Sequence, residues 1–172
     1  MKRDVFIIFT LVIFTLACSQ PKSRGSKSYD CIKSNIPTAV RIFNDIDSLL
    51  HLRQPMIQSN NELYLKSYYS LHKMELKINP LKIWNRKSDP MEFFSPANYT
   101  NIKNCLLENK SELDSKKFAL YNKVLDVPLQ EEINPQETEE YVKSLIGNSN
   151  SELDKFFFFY IMWYTINVNF HK

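Results

Sequence analysis

Glycine is scarce in this chain, whose 172 residues contain only Gly25 and Gly147. P-loops, dinucleotide-binding turns and the nucleophile elbows of hydrolases each need several glycines, because their backbone turns sharply or approaches a phosphate closely. The sequence therefore excludes these motifs. The three histidines, His51, His72 and His171, stand in no metal-binding spacing such as HExxH, so we predict neither a metal nor a cofactor.

Positive and negative charges are also nearly balanced. The chain has 22 lysine and arginine residues against 19 aspartate and glutamate residues, a net charge of +3. Nucleic-acid binding requires a concentrated basic face, so this near balance predicts no nucleic-acid partner. The densest acidic run brackets a predicted helix start, where the helix dipole favours negative charge. It consists of Glu131, Glu132, Glu137, Glu139 and Glu140.

The first 17 residues have the three-part plan of a secretion signal. Lys2 and Arg3 precede an uninterrupted apolar run over residues 5–17, which ends in the small residue Ala17. Thirteen helical residues cover roughly 20 Å, well short of the roughly 30 Å of bilayer hydrocarbon. We therefore predict a cleaved signal peptide over residues 1–17 rather than a permanent transmembrane helix.

The segment Thr15-Leu16-Ala17-Cys18 resembles the lipobox of bacterial lipoproteins. The resemblance implies that Cys18 is diacylated, for example with palmitate, and becomes the membrane-anchored N-terminus. In well-studied Gram-negative lipoproteins an aspartate after the cysteine retains the protein at the inner membrane. Ser19 lacks that signal, which implies the periplasmic face of the outer membrane. The alternative is an ordinary secretory cleavage after Ala17 that leaves Cys18 as a free thiol.

The segment after the cysteine is polar. Residues 19–28 contain no aliphatic side chain, and such a composition cannot support a core. We predict a lipidated flexible tether over residues 18–30, followed by one globular domain over residues 31–172. The length of that second part suits a single domain.

Beyond the tether, apolar residues recur at helical spacing. A stripe that includes Phe43 and Ile46 predicts a helix over residues 36–52. A second predicted helix starts after residues 59–61, ends before Pro80, and turns five side chains inward: Tyr64, Tyr68, Leu71, Met74 and Ile78. The pattern predicts an all-α fold, a compact bundle of about five to six helices.

The last apolar segment, over residues 156–166, is hydrophobic on every side. Eleven helical residues rise only about 17 Å, which is too short to span a bilayer. We therefore predict a buried aromatic C-terminal helix in the centre of the bundle. Alternation of apolar and polar side chains over residues 165–170 is also compatible with a terminal strand.

Cys31 and Cys105 are the two cysteines of the predicted domain. An exported protein is exposed to an oxidising environment, which favours a disulfide between them. The alternative is two buried thiols that lie too far apart to join.

The connection over residues 80–95 is long for a link between helices. It contains residue types that are enriched at protein-binding hot spots, and these are our partner-binding candidates: Trp84, Arg86, Met91, Phe93 and Phe94. The alternative is a lid whose aromatic side chains cover the core.

The sequence favours a non-catalytic, membrane-anchored envelope protein that binds a protein partner, as an accessory subunit or an inhibitor of the immunity type. The immunity suggestion is an analogy, because no residue identifies a toxin. Two alternatives remain: a carrier of an apolar ligand, and an envelope hydrolase with an acidic and histidine site that matches no motif. An empty apolar pocket would favour the carrier, and a carboxylate with a shifted pKa near His51 or His72 would favour the hydrolase.

Overall fold

A computed structural model describes residues 26–84, 89–130, 134–147 and 151–170 of the chain. Within these ranges the chain forms α-helices and short 3₁₀-helices and contains no β-strand, which confirms the predicted all-α class. The α-helices are α1 (Ser26–Asn35), α2 (Pro37–Arg53), α3 (Asn60–His72), α4 (Pro80–Trp84), α5 (Pro96–Glu108), α6 (Ser115–Asp126), α7 (Pro135–Gly147) and α8 (Glu152–Phe170). The 3₁₀-helices are Pro90–Phe94, Lys110–Glu112 and Val127–Leu129.

Several predictions concern residues outside the described ranges. These are the signal peptide over residues 1–17, the anchor Cys18 and the tether up to residue 25. The candidate residue Arg86, the acidic residues Glu131 and Glu132, and His171 also lie outside them.

The described part of the chain has eight α-helices, more than the five to six that we predicted. One addition is α4, which has only five residues and starts at Pro80. Proline suits the first turn of a helix because its missing N–H would be unpaired there anyway. The other addition is α1, which begins inside the segment predicted as tether.

Helix α1 forms where polar composition alone predicted a flexible segment. Residues 26–30 belong to the helix, and Ser28 is fully buried. The ammonium group of Lys27 lies 2.7 Å from the carboxylate of Glu112. The helix packs against α5 and α8, so contacts with distant parts of the chain order a segment that has little apolar surface of its own.

The predicted pairing of Cys31 with Cys105 is confirmed. Their Sγ atoms are 1.98 Å apart and their Cα atoms 5.6 Å apart, which is the spacing of a disulfide. The bond joins α1 to α5. It therefore holds the first described helix against the rest of the bundle.

Helix α8 is the centre of the bundle, as predicted for the aromatic C-terminal segment. It packs against α1, α2, α3, α4, α6 and α7, and its side chains from Phe156 to Tyr164 are all buried. The helix continues to Phe170, so residues 165–170 are helical rather than a strand. None of the described helices combines the length and apolar character needed to cross a membrane.

A buried carboxylate holds the start of α8. Asp154 is 2% exposed and lies 2.5 Å from the Nζ atom of Lys117. It also accepts a hydrogen bond of 2.9 Å from the Tyr121 hydroxyl, and the Ser151 hydroxyl donates to it over 2.5 Å. The Ser151 Oγ atom in turn accepts from the backbone N–H of Asp154, as a helix cap does. These contacts tie the central helix to α6.

Candidate functional site

The aromatic side chains predicted to bind a partner lie mainly in the core. Trp84 is 3% exposed and stacks on Trp163 of α8, with ring centroids 6.4 Å apart. Phe93 is 1% exposed and packs edge-on against Phe43, at 5.8 Å. Each of these side chains therefore covers the core and is inaccessible on the folded surface.

Met91 and Phe94, from the same segment, are partly buried. The Phe94 ring contacts Tyr160 and Tyr164 of α8, with centroids 5.2 Å and 5.4 Å away. A partner that approached this segment would therefore meet the edges of Met91 and Phe94, rather than the larger side chains of Trp84 and Phe93.

Helix α3 ends at His72, earlier than predicted. The backbone N–H of Glu75 donates to the Ser70 carbonyl over 2.8 Å, and the N–H of Met74 donates to the Leu71 carbonyl over 3.0 Å. This pair of bonds is the Schellman motif, which places one residue in the left-handed conformation. That residue is Met74, with φ of 59° and a side chain that is 44% exposed. The prediction that Met74 faces inward was therefore wrong.

The left-handed conformation of Met74 is unfavourable. A side chain with a Cβ atom in this region costs roughly 1–2 kcal/mol, because Cβ crowds the following carbonyl oxygen. Glycine usually occupies this position in the Schellman motif. Strained backbone persists only where surrounding contacts enforce it, and it is concentrated at functional sites.

An apolar cleft of about 420 Å³ opens beside this turn. We call it the Met74 cleft, and it is lined by Leu71, Met74, Leu76, Lys77, Ile78, Ile166, Asn169 and Phe170. Phe170, at the end of α8, is 42% exposed. The Asn169 side-chain amide donates to the Leu71 carbonyl over 2.7 Å and joins the two helix ends that form the cleft. A concave surface with a mostly apolar lining and few polar groups is typical of binding sites.

A second cleft, of about 150 Å³, shares Asn169 with the Met74 cleft. Its lining includes Tyr68, Tyr164 and Val168. Burial raises the pKa of Tyr68 to about 12, so its hydroxyl stays protonated at neutral pH. Two surface clefts therefore meet at the C-terminal end of α8.

Three cations lie at the turn that borders the Met74 cleft. Lys77 lines the cleft, and Lys73 directly precedes Met74. The Arg53 guanidinium donates to the Lys77 carbonyl over 3.0 Å, which brings a third cation to the same turn. All three residues are exposed, and Glu75 is the one acidic residue of the turn. We refer to Lys73, Lys77 and Arg53 as the cationic rim.

The Met74 cleft lies far from the start of α1. Tyr29 of α1 and Glu152, the first residue of α8, line one small cleft together. Asn169, at the other end of α8, lines the Met74 cleft. At about 1.5 Å per helical residue, these two ends of α8 are about 25 Å apart. The cleft therefore opens at the end of the bundle opposite the start of α1.

His51 belongs to a surface cluster in the last turn of α2. Its Nδ1 atom lies 2.9 Å from the Asp47 carbonyl, and its Nε2 atom lies 3.2 Å from the Asn60 side-chain oxygen. The Tyr64 hydroxyl donates to the Asp47 carboxylate over 2.9 Å. The Asp47 carbonyl, above all, raises the pKa of His51, because only the protonated ring donates from both nitrogens. Both ring nitrogens already contact oxygen atoms of the protein, so neither is free to take a proton from a substrate or a water, as the general base of a hydrolase must.

His72 lies beside a second carboxylate, that of Glu139. The Glu139 carboxylate lies 2.7 Å from the Lys143 ammonium and accepts a bond of 2.8 Å from the Tyr69 hydroxyl. The ammonium of Lys143, followed by the Tyr69 hydroxyl, lowers the pKa of Glu139. A carboxylate that can act as a general acid near neutral pH has a raised pKa instead. This arrangement is therefore typical of a surface ion pair.

The centre of the bundle is filled by side chains. Phe156, Phe157 and Tyr160 contact one another with ring centroids 5.3 Å to 6.4 Å apart. Trp163 and Phe158 are among the largest fully buried side chains. Across the described ranges, His, Cys, Asp and Glu side chains form no group of three that could hold a metal ion. The Met74 cleft, by contrast, offers apolar space at the surface of the described part of the chain.

Searches of protein-family models, curated proteins and solved structures find no match to this chain. The features of this chain that bear on function are therefore its leader sequence, the Met74 cleft and the cationic rim.

Sequence reasoning missed the Met74 cleft because nothing in the sequence marks the end of α3. The usual signal is a glycine or asparagine just after the last helical residue, and Lys73-Met74-Glu75 contains neither. Met74 also continues the apolar spacing of the helix, which indicated an inward position. The one available signal was Pro80, which requires the helix to end but does not specify where.

Proposed function

We propose that this chain is a lipid-anchored protein of the bacterial envelope, held at the membrane by Cys18, that binds another protein without catalysing a reaction. The observation that carries the binding proposal is the exposed Met74 cleft, at the end of the bundle opposite the start of α1. The lipobox-like segment before Cys18 supports the anchor. An accessory subunit and an immunity-type inhibitor would both use such a surface.

The composition of the cleft favours binding over catalysis. Six of its eight lining side chains are apolar, and the two polar ones are Lys77 and Asn169. The Asn169 amide already bonds to the Leu71 carbonyl. An apolar surface of this size gains free energy when a partner excludes water from it, and Met74 can adapt its shape to that partner.

The position of the cleft suits an anchored protein. The chain that leads to Cys18 enters the bundle near the start of α8, and the cleft lies about 25 Å away along that helix. A partner in the periplasm could therefore reach the cleft while the acyl chains hold the other end at the membrane. Position 19 is a serine rather than the aspartate that retains lipoproteins at the inner membrane. This supports a location at the periplasmic face of the outer membrane.

Replacing Cys18 by alanine tests the anchor. We expect the Cys18→Ala chain to incorporate no labelled fatty acid and to leave the membrane fraction, because the acyl chains provide the hydrophobic attachment. The measurement is metabolic labelling with palmitate and fractionation of the native host's envelope. Ser19→Ala is the matched control and should remain lipidated and membrane-bound. Labelled, membrane-bound Cys18→Ala protein would refute the anchor.

Site-specific photo-crosslinking in the native host tests the binding function. A benzoylphenylalanine at position 170 places the reactive group at the mouth of the Met74 cleft, since Phe170 lines it. The same residue at position 152 reports on the opposite, exposed end of the same helix. We expect a covalent adduct with another protein from position 170 and none from position 152. If neither position gives a protein adduct, the proposed function fails.

A further inference from the structure

We infer that the Met74 cleft binds an acidic segment of the partner protein, with apolar side chains in the cleft and neighbouring carboxylates against the cationic rim. The inference rests on the proposed function and adds the chemistry of the partner. It combines three observations: the apolar lining, the three cations at the adjoining turn, and the position of the cleft relative to the start of α1.

The shape of the cleft fits side chains better than a whole lipid. It is open to solvent, whereas pockets for small apolar ligands bury most of the ligand's surface. Its volume of about 420 Å³ is sufficient for a few large side chains from a segment that lies across it. Met74 and Phe170 are partly exposed at its edge and would be covered by that segment.

The charges at the turn beside the cleft indicate that the partner's binding segment is negatively charged. Lys73, Lys77 and Arg53 outnumber Glu75, and none of the three cations forms an ion pair with a described acidic residue. An arginine guanidinium can bind a carboxylate through two parallel hydrogen bonds. Opposite charges at an interface increase the association rate and reject partners of the wrong sign, and salt weakens both effects.

The location of the cleft favours a protein segment over the membrane surface as the source of the negative charge. The cationic rim lies at the Met74 end of α8, and the start of α1 lies at the Glu152 end, about 25 Å away. Anionic headgroups attract basic residues only within about a Debye length, roughly 8–10 Å. Headgroups next to the anchor would therefore exert little force on the rim.

Peptide selection tests this inference directly. A random peptide library would be displayed on phage and selected against the purified full chain carrying Cys18→Ala, and in parallel against the same chain with Met74→Gly. Glycine adopts a φ of 59° without strain, so the second chain should melt at the same or a higher temperature. It loses the Met74 side chain from the cleft, and loss of binding would then not reflect unfolding.

We expect the peptides that require Met74 to combine large apolar residues with aspartate or glutamate. Their affinity should fall at least tenfold when sodium chloride is raised from 50 mM to 500 mM, and at least tenfold in Lys77→Glu. Lys33→Glu, an exposed charge reversal on α1, is the matched control and should change the affinity less than twofold.

Three results would overturn the inference: no peptide that requires Met74, Met74-dependent peptides that are basic or uncharged, or Met74-dependent binding to phosphatidylglycerol vesicles. The crosslinking experiment separates this failure from failure of the proposed function. A protein adduct from position 152 but not from position 170 would leave the binding function intact and place it on another surface.

Discussion

Replacing Trp163 by alanine should reduce the free energy of unfolding by about 3–5 kcal/mol, the range for deletion of a large buried aromatic side chain. Trp163 is fully buried in the middle of α8 and stacks on Trp84. Its removal leaves a cavity where α8 meets α4, and few neighbours can move to fill it. Urea unfolding of the full chain, followed by circular dichroism, measures the change.

Phe170 provides the matched control for Trp163, because it is an aromatic residue in the last turn of the same helix. It is 42% exposed, so Phe170→Ala should change the free energy of unfolding by less than about 1 kcal/mol. Equal losses in the two variants would contradict the burial pattern along α8. Because Phe170 lines the Met74 cleft, this variant should also bind the partner more weakly while it stays folded.

Replacing both Cys31 and Cys105 by alanine should reduce the free energy of unfolding by about 4 kcal/mol in the chain-entropy account. The two cysteines are 74 residues apart in the sequence, so their bond removes many conformations from the unfolded chain. A domain of this size is stable by roughly 5–15 kcal/mol, so the loss is a large fraction of the total. Urea unfolding under oxidising conditions measures it.

The control for the disulfide is reduction of the bond. The parent chain and the double variant both carry Cys18→Ala, so that no third thiol contributes. Dithiothreitol should destabilise the parent chain, which keeps Cys31 and Cys105, but not the double variant. If two thiols react with a thiol reagent when the parent chain is unfolded without reductant, the disulfide is absent. The expected result would also show how firmly α1 is held, because the disulfide ties that helix to α5.

The disulfide also affects how the proposed binding surface is presented. The bond and the Lys27–Glu112 ion pair hold α1 against the domain near the start of α8. The start of α1 is therefore held at one end of the central helix, and the Met74 cleft opens at the other end. Loss of the bond should weaken this orientation as well as the stability.

Much of the fold could be predicted from local sequence. The apolar spacing of α2 and the continuous aromatic run of α8 both indicated their structures, because helical periodicity and burial are encoded in neighbouring residues. We predicted the disulfide from the number of cysteines in the domain and from the expected export of the chain. Composition and pattern were sufficient here, because neighbouring residues indicate a helix and its burial, and two cysteines in the predicted domain allow only one pair.

The candidate site could not be predicted in the same way. The aromatic side chains between positions 80 and 95 are of the types found at protein-binding hot spots. Two of them, Trp84 and Phe93, are nevertheless buried against other parts of the chain. Residue type does not distinguish an exposed anchor from a core side chain, since both are large and apolar. Conversely, Met74 had the spacing of a core residue and lies at the surface.

Local periodicity, composition and the number of cysteines were enough to predict the helical class, the central place of the aromatic C-terminal helix and the cysteine pair. A short motif led us to propose the lipid anchor. The tertiary structure alone decided three other features. It ordered residues 26–30 through contacts with α5 and α8, and it buried Trp84 and Phe93. It also ended α3 at His72, which left Met74 strained beside an open apolar cleft. In each case, contacts between residues distant in sequence outweigh the local preference of the segment.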